Sequence, residues 1–284
     1  MDGTVGLGGH AYALFARCRE IELLGIDRDS AALGLAEKRL QGLTVHLEHC
    51  CYADFERPME KLGWTSLDGV LLDLGVSSMQ LDLLERGFSL HGEGRLDMRM
   101  DQKESLPTAY DLVNGASFEE LQQILANGEE PKATQIARSI VQARVRGPIT
   151  TTRELAALVV QSYPLIWRKT ARRHPATRTF QALRMRVNDE LGQLRRFLMH
   201  ILPYVAPQGR ICVLTFHSLE DRMVKRFMQE WAKDCLCPPY VQQCVCGHKA
   251  EVQIITKKPL RPGEDELLKN KRAQSAKLRC VEKL

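Results

Sequence analysis

Two carboxylates stand where a parallel sheet presents its ligands. Val70-Leu71-Leu72 is an apolar run that stops at Asp73 and continues as Leu74-Gly75, and Ile21-Glu22-Leu23-Leu24-Gly25-Ile26 stops at Asp27. Runs of this kind read as buried parallel strands, whose carboxyl ends form the ligand edge of an open α/β sheet. Upstream, Gly6, Gly8 and Gly9 precede the helical pattern Tyr12, Leu14, Phe15 and Cys18. Glycines there remove the β-carbons that keep a ligand from the backbone at a helix start.

An acid about 20 residues past such glycines is where a nucleoside-binding sheet grips two ribose hydroxyls. Two ligands satisfy this pattern, a dinucleotide and S-adenosylmethionine, and Gly6-x-Gly8-x-x-Ala11 fits the dinucleotide fingerprint by letter. A third strand near residues 44–47 leads to Tyr52, where an aromatic ring can lie against an adenine or simply pack. Asp97-Met98-Arg99-Met100-Asp101 alternates charge with methionine, a pattern costly in a core and useful in a cleft. His217 follows a fifth apolar strand, Ile211-Cys212-Val213-Leu214, where a histidine serves either as a structural group or as a substrate contact.

Between Arg168 and Arg186 lie seven Lys or Arg residues and no acid, around His174-Pro175-Ala176-Thr177-Arg178. Either this is a solvated face or it meets an anionic polymer, and the missing counter-charge favours the polymer. From charge and position, Arg99, Arg178 and His217 are the candidates for holding such a substrate. Cys235-x-Cys237 and Cys244-x-Cys246 place two pairs of thiols six residues apart. Four thiolates suit tetrahedral zinc, although C-x-C is narrower than the usual knuckle. Free thiols are the next reading and a disulfide the last, and no metal is assigned to the reacting site.

The positioning elements alternate strand and helix up to Asp101, turn helical for about 75 residues, and then resume the sheet. This divides the chain into a sheet domain of residues 1–102 and 179–284, interrupted by a helical insertion of residues 103–178. Ser117-x-x-Glu120, Thr151-x-x-Glu154 and Ser218-x-x-Asp221 read as helix caps. Phe180, Leu183, Val187, Leu191, Leu194, Leu198, Ile201 and Leu202 mark one long amphipathic helix packed on the sheet. Residues 252–257 and 277–282 read as a final antiparallel pair around a polar connection at 258–275. That closure suits a methyltransferase sheet better than a dehydrogenase, which more often continues with parallel units. With 44% hydrophobic and 26% charged residues and a net charge of +5 over 284 residues, the composition is that of an ordinary globular enzyme. No run reaches the roughly 18 apolar residues of a membrane span and no signal sequence is evident, so a cytoplasmic location without membrane contact is expected.

Taken together, Asp2-Gly3-Thr4-x-Gly6-x-Gly8-Gly9-His10, Ile26-Asp27-Arg28-Asp29, Leu72-Asp73-Leu74-Gly75-Val76-Ser77-Ser78-x-Gln80-Leu81-Asp82, Glu85-Arg86-Gly87-Phe88-Ser89, Leu96-Asp97-Met98-Arg99-Met100-Asp101, His174 to Ala182 and Phe216-His217-Ser218-Leu219-Glu220-Asp221-Arg222 closely resemble the bacterial RsmH (MraW) family. The resemblance implies a class I, Rossmann-like S-adenosylmethionine-dependent methyltransferase that acts on N4 of a cytidine in the decoding centre of 16S rRNA. Its partner would be that RNA or the small ribosomal subunit, and a homodimer is admissible. Carried over by position, Gly8, Gly9, His10, Asp27, Tyr52, Asp73 and Gln80 bind the cofactor. Tyr52 stands where the family also uses Phe, and Arg95 where many members have Pro. Family members also carry a leader and an apolar first strand before the Asp-Gly-Thr turn, whereas here Met1 precedes Asp2. The expectation is either a misassigned start or a sheet without its central strand.

Overall fold

The computed structural model describes the 284-residue chain except His91, residues 171–173, Pro239, Gln242 and the side chains of Lys169 and Thr170. Arg172 and Arg173, in the middle of the basic run, therefore lie outside the described residues. Two compact units are present: Met1–Gly75 together with Leu191–Leu284, and Val76–Glu190.

The first unit is a doubly covered sheet. Its strands are β1 (Leu23–Asp27), β2 (Val45–His49), β3 (Leu67–Asp73), β4 (Val205–Thr215), β5 (Val252–Ile254) and β6 (Lys277–Lys283). The helices of its first segment are α1 (Gly9–Arg17), α2 (Ser30–Arg39) and α3 (Glu56–Leu62). β1 and β2 pair in parallel, as do β3 and β4, whereas β6 runs antiparallel between β4 and β5. Alternate residues serve the two faces. Leu24, Ile26, Val70, Leu72, Ile211 and Val213 enter one core, and Leu23 joins Val5, Ala11, Phe15, Ala36 and Leu40 in the other.

Met1–Gly3 fill the position between β1 and β3. Asp2 makes parallel bridges to both Gly25 and Leu71. The Asp2 amide donates to Leu24 O at 2.8 Å and the Ile26 amide to Asp2 O at 2.8 Å. On the other side Gly3 donates to Leu71 O and Leu71 to Met1 O, each at 2.9 Å. The expected central gap is therefore not found at this level of the sheet. Three residues suffice because each strand residue alternates the edge to which it bonds, so Asp2 serves β1 while Met1 and Gly3 serve β3.

The second unit is helical: α4 (Ser78–Asp82), α5 (Ala109–Gly115), α6 (Phe118–Asn127), α7 (Ala133–Arg144), α8 (Thr152–Gln161), α9 (Leu165–Thr170) and α10 (Thr177–Asn188). Capping boxes at Ser77/Gln80, Thr108/Asp111, Ser117/Glu120 and Thr151/Glu154 satisfy the first amides of four of these helices. Phe88, Leu96 and Met98 are buried with Leu121, Ile136, Leu155, Phe180 and Leu183 in one core. The unit's edges therefore fall after Gly75 and after Glu190, outside the 103–178 span read from periodicity, because the apolar residues of 76–101 and of α10 pack with the helices.

Two helix readings change. The long helix over 180–202 is two, α10 and then α11 (Glu190–His200), separated by Asp189 at φ 49°. A left-handed residue ends the helical ladder, and Asp tolerates that conformation better than most residues. The apolar spacing runs through the break because each half buries its own stripe: Phe180, Leu183 and Val187 in the second unit, and Leu194, Leu198 and Ile201 in the first. The helix α12 (Ser218–Trp231) is capped by His217 rather than Ser218. The polar connection at 258–275 also holds a short helix, α13 (Glu264–Lys269).

Candidate functional site

At the carboxyl edge of the first unit, the central segment turns at Gly3 and Thr4 into the glycine loop. The backbone is tight there: a β-carbon on Gly3 would stand 2.5 Å from Leu72 Cδ2 and 3.1 Å from Tyr52 Cβ. Gly8 caps α1 in the left-handed region, at φ 76°, and brings no side-chain acceptor, so the first amides of α1 lack a side-chain cap. Thr4 Oγ1 accepts the amide of Asp73 at 2.6 Å, fastening the loop to the end of β3.

Four acidic or imidazole groups surround this loop. Asp27 Oδ2 accepts the Gly6 amide at 2.7 Å and Oδ1 the Asp29 amide at 2.8 Å. Burial raises the Asp27 pKa and these amides oppose the rise. Asp73 Oδ2 lies 3.7 Å from His10 Nδ1. Burial raises the pKa of Asp73 as well, with His10 working against it and Glu220 adding to it. Asp2 is 1% exposed, and burial pushes its pKa up to about 6. Its Oδ1 accepts the Thr4 amide at 3.1 Å. Among the described residues, Asp2 Oδ2 and Asp73 Oδ1 are buried without a hydrogen-bond partner. Two unsatisfied carboxylate oxygens are costly in the free protein and suit a ligand carrying positive charge or several donors.

The structure brings Gly8, Gly9, His10, Asp27, Tyr52 and Asp73 to this one edge. Tyr52 is half-buried, its ring edge-on to Phe197 with centroids 5.5 Å apart. Asp2 and Thr4 belong with these residues although neither was singled out from the sequence. An acid at the end of a central strand is the signal for Asp2, and Met1-Asp2-Gly3 carries no apolar run to give that signal.

His217, at the end of β4, is tied into the start of α12. Its Nδ1 accepts the Glu220 amide at 3.4 Å, while Glu220 Oε2 accepts the amides of Phe216 and His217 at 3.0 and 3.3 Å. Nε2 lies 2.9 Å from Glu220 Oε1 without hydrogen-bond alignment. Asp221 faces away from the cap and joins α12 to β6 through Lys277 Nζ at 2.8 Å and Arg279 Nε at 2.6 Å.

The remaining candidates lie in the second unit. Gln80 is buried, its Oε1 accepting the Ser77 amide at 3.0 Å as part of the α4 cap. Arg99 forms a two-pronged pair with Asp97, both contacts 2.8 Å, and gives a third bond to Glu104 O. Burial alone would raise the Asp97 pKa, but Arg99 holds it below the usual range. Arg178 is exposed on α10. Elsewhere in the basic run, Arg184 pairs with Glu190 through two bonds of 2.7 and 2.8 Å, and Arg168 caps the carbonyls of Gln161 and Tyr163. The run is therefore less free than its composition suggests, because its counter-charge for Arg184 sits just past its end.

A parallel sheet with acids at the ends of neighbouring strands, a glycine loop after its central segment and an antiparallel strand inserted near one edge defines a Rossmann-like, nucleoside-binding enzyme of the methyltransferase type. The chain belongs to the MraW methylase family, which it matches over residues 1–284. It is 56% identical over 287 residues to the ribosomal RNA small subunit methyltransferase H of Desulfovibrio desulfuricans, covering 100% of this chain and 88% of that one. The proteins of the same name from Nitratidesulfovibrio vulgaris and Lawsonia intracellularis are 55% and 51% identical over 288 residues, with 89% and 92% of their lengths covered.

Proposed function

We propose that the protein transfers a methyl group from S-adenosylmethionine to N4 of a cytidine in the decoding centre of 16S rRNA. The observation that carries the cofactor assignment is the pair of buried, unpartnered oxygens of Asp2 and Asp73 beside a glycine loop. S-adenosylmethionine bears an ammonium and a sulfonium, and it has the ribose hydroxyls for Asp27 and the adenine for Tyr52. When bound, it supplies an electrophilic methyl. The RNA assignment is supported by the family motifs and by the printed name of the relatives.

Cytosine N4 is a poor nucleophile because its lone pair is delocalised into the ring. Catalysis by this chain is then a matter of positioning and fixed dipoles: backbone carbonyls following Asp73 accept the N4 hydrogens and draw electron density toward attack. No strong base is needed, since the ammonium-like product sheds its proton readily. The exposed Arg178 on α10 is assigned to the RNA backbone, and Arg99 and His217 to substrate contact in addition to the roles described above.

The test is transfer of a radiolabelled methyl group to small subunits and to free 16S rRNA that lack the modification, followed by nucleoside analysis. Label in N4-methylcytidine from a decoding-centre fragment is the expected result. Label in another base or another region would overturn the assignment.

A further inference from the structure

We propose that Cys235, Cys237, Cys244 and Cys246 hold one Zn²⁺ ion in a closed tetrahedral site that fixes the loop between α12 and β5. All nine cysteines are free thiols, yet these four converge, their sulfurs all within 4.8 Å of one another. Cys235 Sγ lies 3.4 Å from Cys244 Sγ and 3.8 Å from Cys246 Sγ, and Cys244 Sγ lies 3.5 Å from Cys246 Sγ. A zinc tetrathiolate with bonds of about 2.3 Å has tetrahedral edges of about 3.8 Å. Disulfides would draw the sulfurs together two by two, whereas here one sulfur has two neighbours at similar distances.

Two backbone amides already point at the cluster. Leu236 N donates to Cys246 Sγ and Cys237 N to Cys235 Sγ, each at 3.4 Å. Such donors offset the excess negative charge of four thiolates on a divalent ion and orient the ligands. The narrow C-x-C spacing, which weakens the sequence signal, is no obstacle in three dimensions: each pair supplies one edge of the tetrahedron and the six residues between the pairs carry the chain across.

The loop needs such a tie. Among the described residues, none of 232–251 lies in a helix or strand, and two of its large apolar side chains point outward, Tyr240 83% and Val245 82% exposed. Its neck is closed by Glu251 N donating to Trp231 O at 2.8 Å, and Val241 N donates to Pro238 O inside it. A loop of this length with so little apolar burial has little to offset the entropy of ordering it. Four protein ligands leave no open position, so the ion is structural rather than catalytic, and a redox-inactive metal suits a cluster in which Cys235, Cys244 and Cys246 are exposed.

The experiment is metal analysis of the full chain purified under reducing conditions without chelator, with Co²⁺ titration of the chelator-stripped protein as a second readout. About one equivalent of zinc per chain is expected, together with the intense sulfur-to-cobalt charge-transfer absorption of a tetrahedral tetrathiolate. The double variant Cys244→Ser/Cys246→Ser should lose both signals, while Cys18→Ser, remote in sequence, keeps them. If the double variant fails to fold, the cobalt spectrum of the parent protein decides alone. Bound iron in place of zinc, a disulfide among these residues in unreduced protein, or four free thiols with no cobalt absorption would each overturn the proposal.

Discussion

Asp27 Oδ2 accepts the amide of Gly6, so the acid at the end of β1 holds the glycine loop in shape before any ligand arrives. The same carboxylate is the proposed partner of the ribose. Asp27→Ala would confuse the two roles by leaving the Gly6 and Asp29 amides unmatched. Asp27→Asn keeps an acceptor for one amide and removes the charge. Loss of a charge-assisted contact costs about 2–4 kcal/mol in binding. S-adenosylmethionine affinity should fall by one to three orders of magnitude, at about 1.4 kcal/mol per tenfold, as read by isothermal titration. An unchanged affinity in a folded variant would remove Asp27 from the cofactor site.

Asp2 predicts a pH dependence of unusual sign. Its native pKa of about 6 lies above the ordinary 3.8, so between these values the native state holds more protons than the unfolded chain. Stability contributed by this group is therefore greatest at low pH, declines as pH rises through the window from about 4 to 6, and is flat above it. The full swing is about 3 kcal/mol at about 1.4 kcal/mol per pK unit. Asp2→Asn should be the more stable protein at pH 7, lose that slope, and bind S-adenosylmethionine more weakly. Parallel melts of both proteins from pH 4 to 8 measure the difference, and equal slopes would refute the linkage.

His217 separates a cap from a substrate contact. His217→Ala should cost about 1 kcal/mol through the lost bond to the Glu220 amide. His217→Asn restores a capping acceptor and should recover the melting temperature. If the ring also touches RNA, His217→Asn will still show a raised KM for the subunit with its affinity for S-adenosylmethionine unchanged. Full recovery of methylation in His217→Asn would make the residue a cap alone.

The acids at the strand ends were legible because two local signals coincide there, an apolar run and an abrupt carboxylate. The cap at His217 was not, since Ser218 and Asp221 imitate the usual box one residue later and histidine is a rare cap. Asp189 was hidden for a different reason. The hydrophobic period continues across it, and only backbone conformation reveals that the two halves serve different cores. The composition of the basic run records neither Glu190 beside Arg184 nor the carbonyls that hold Arg168. The separation of the second unit at Gly75 rather than near Asp101 depends on which core receives Phe88, Leu96 and Met98, a matter of packing rather than pattern.

The pairing of β3 with β4 has a consequence for synthesis. Leu72 and Val213 are neighbours in the sheet, yet all of residues 73–212, the whole second unit among them, must leave the ribosome between them. At about 5–20 residues per second that delay is roughly 7–30 s. Throughout it, β3 has an unpaired edge of the kind that recruits foreign strands. The helical unit has contiguous chain and mostly near-neighbour packing, conditions under which domains fold in microseconds to milliseconds. The unit encoded in the middle of the gene is thus the first to be finished, and the domain that begins the chain is the last.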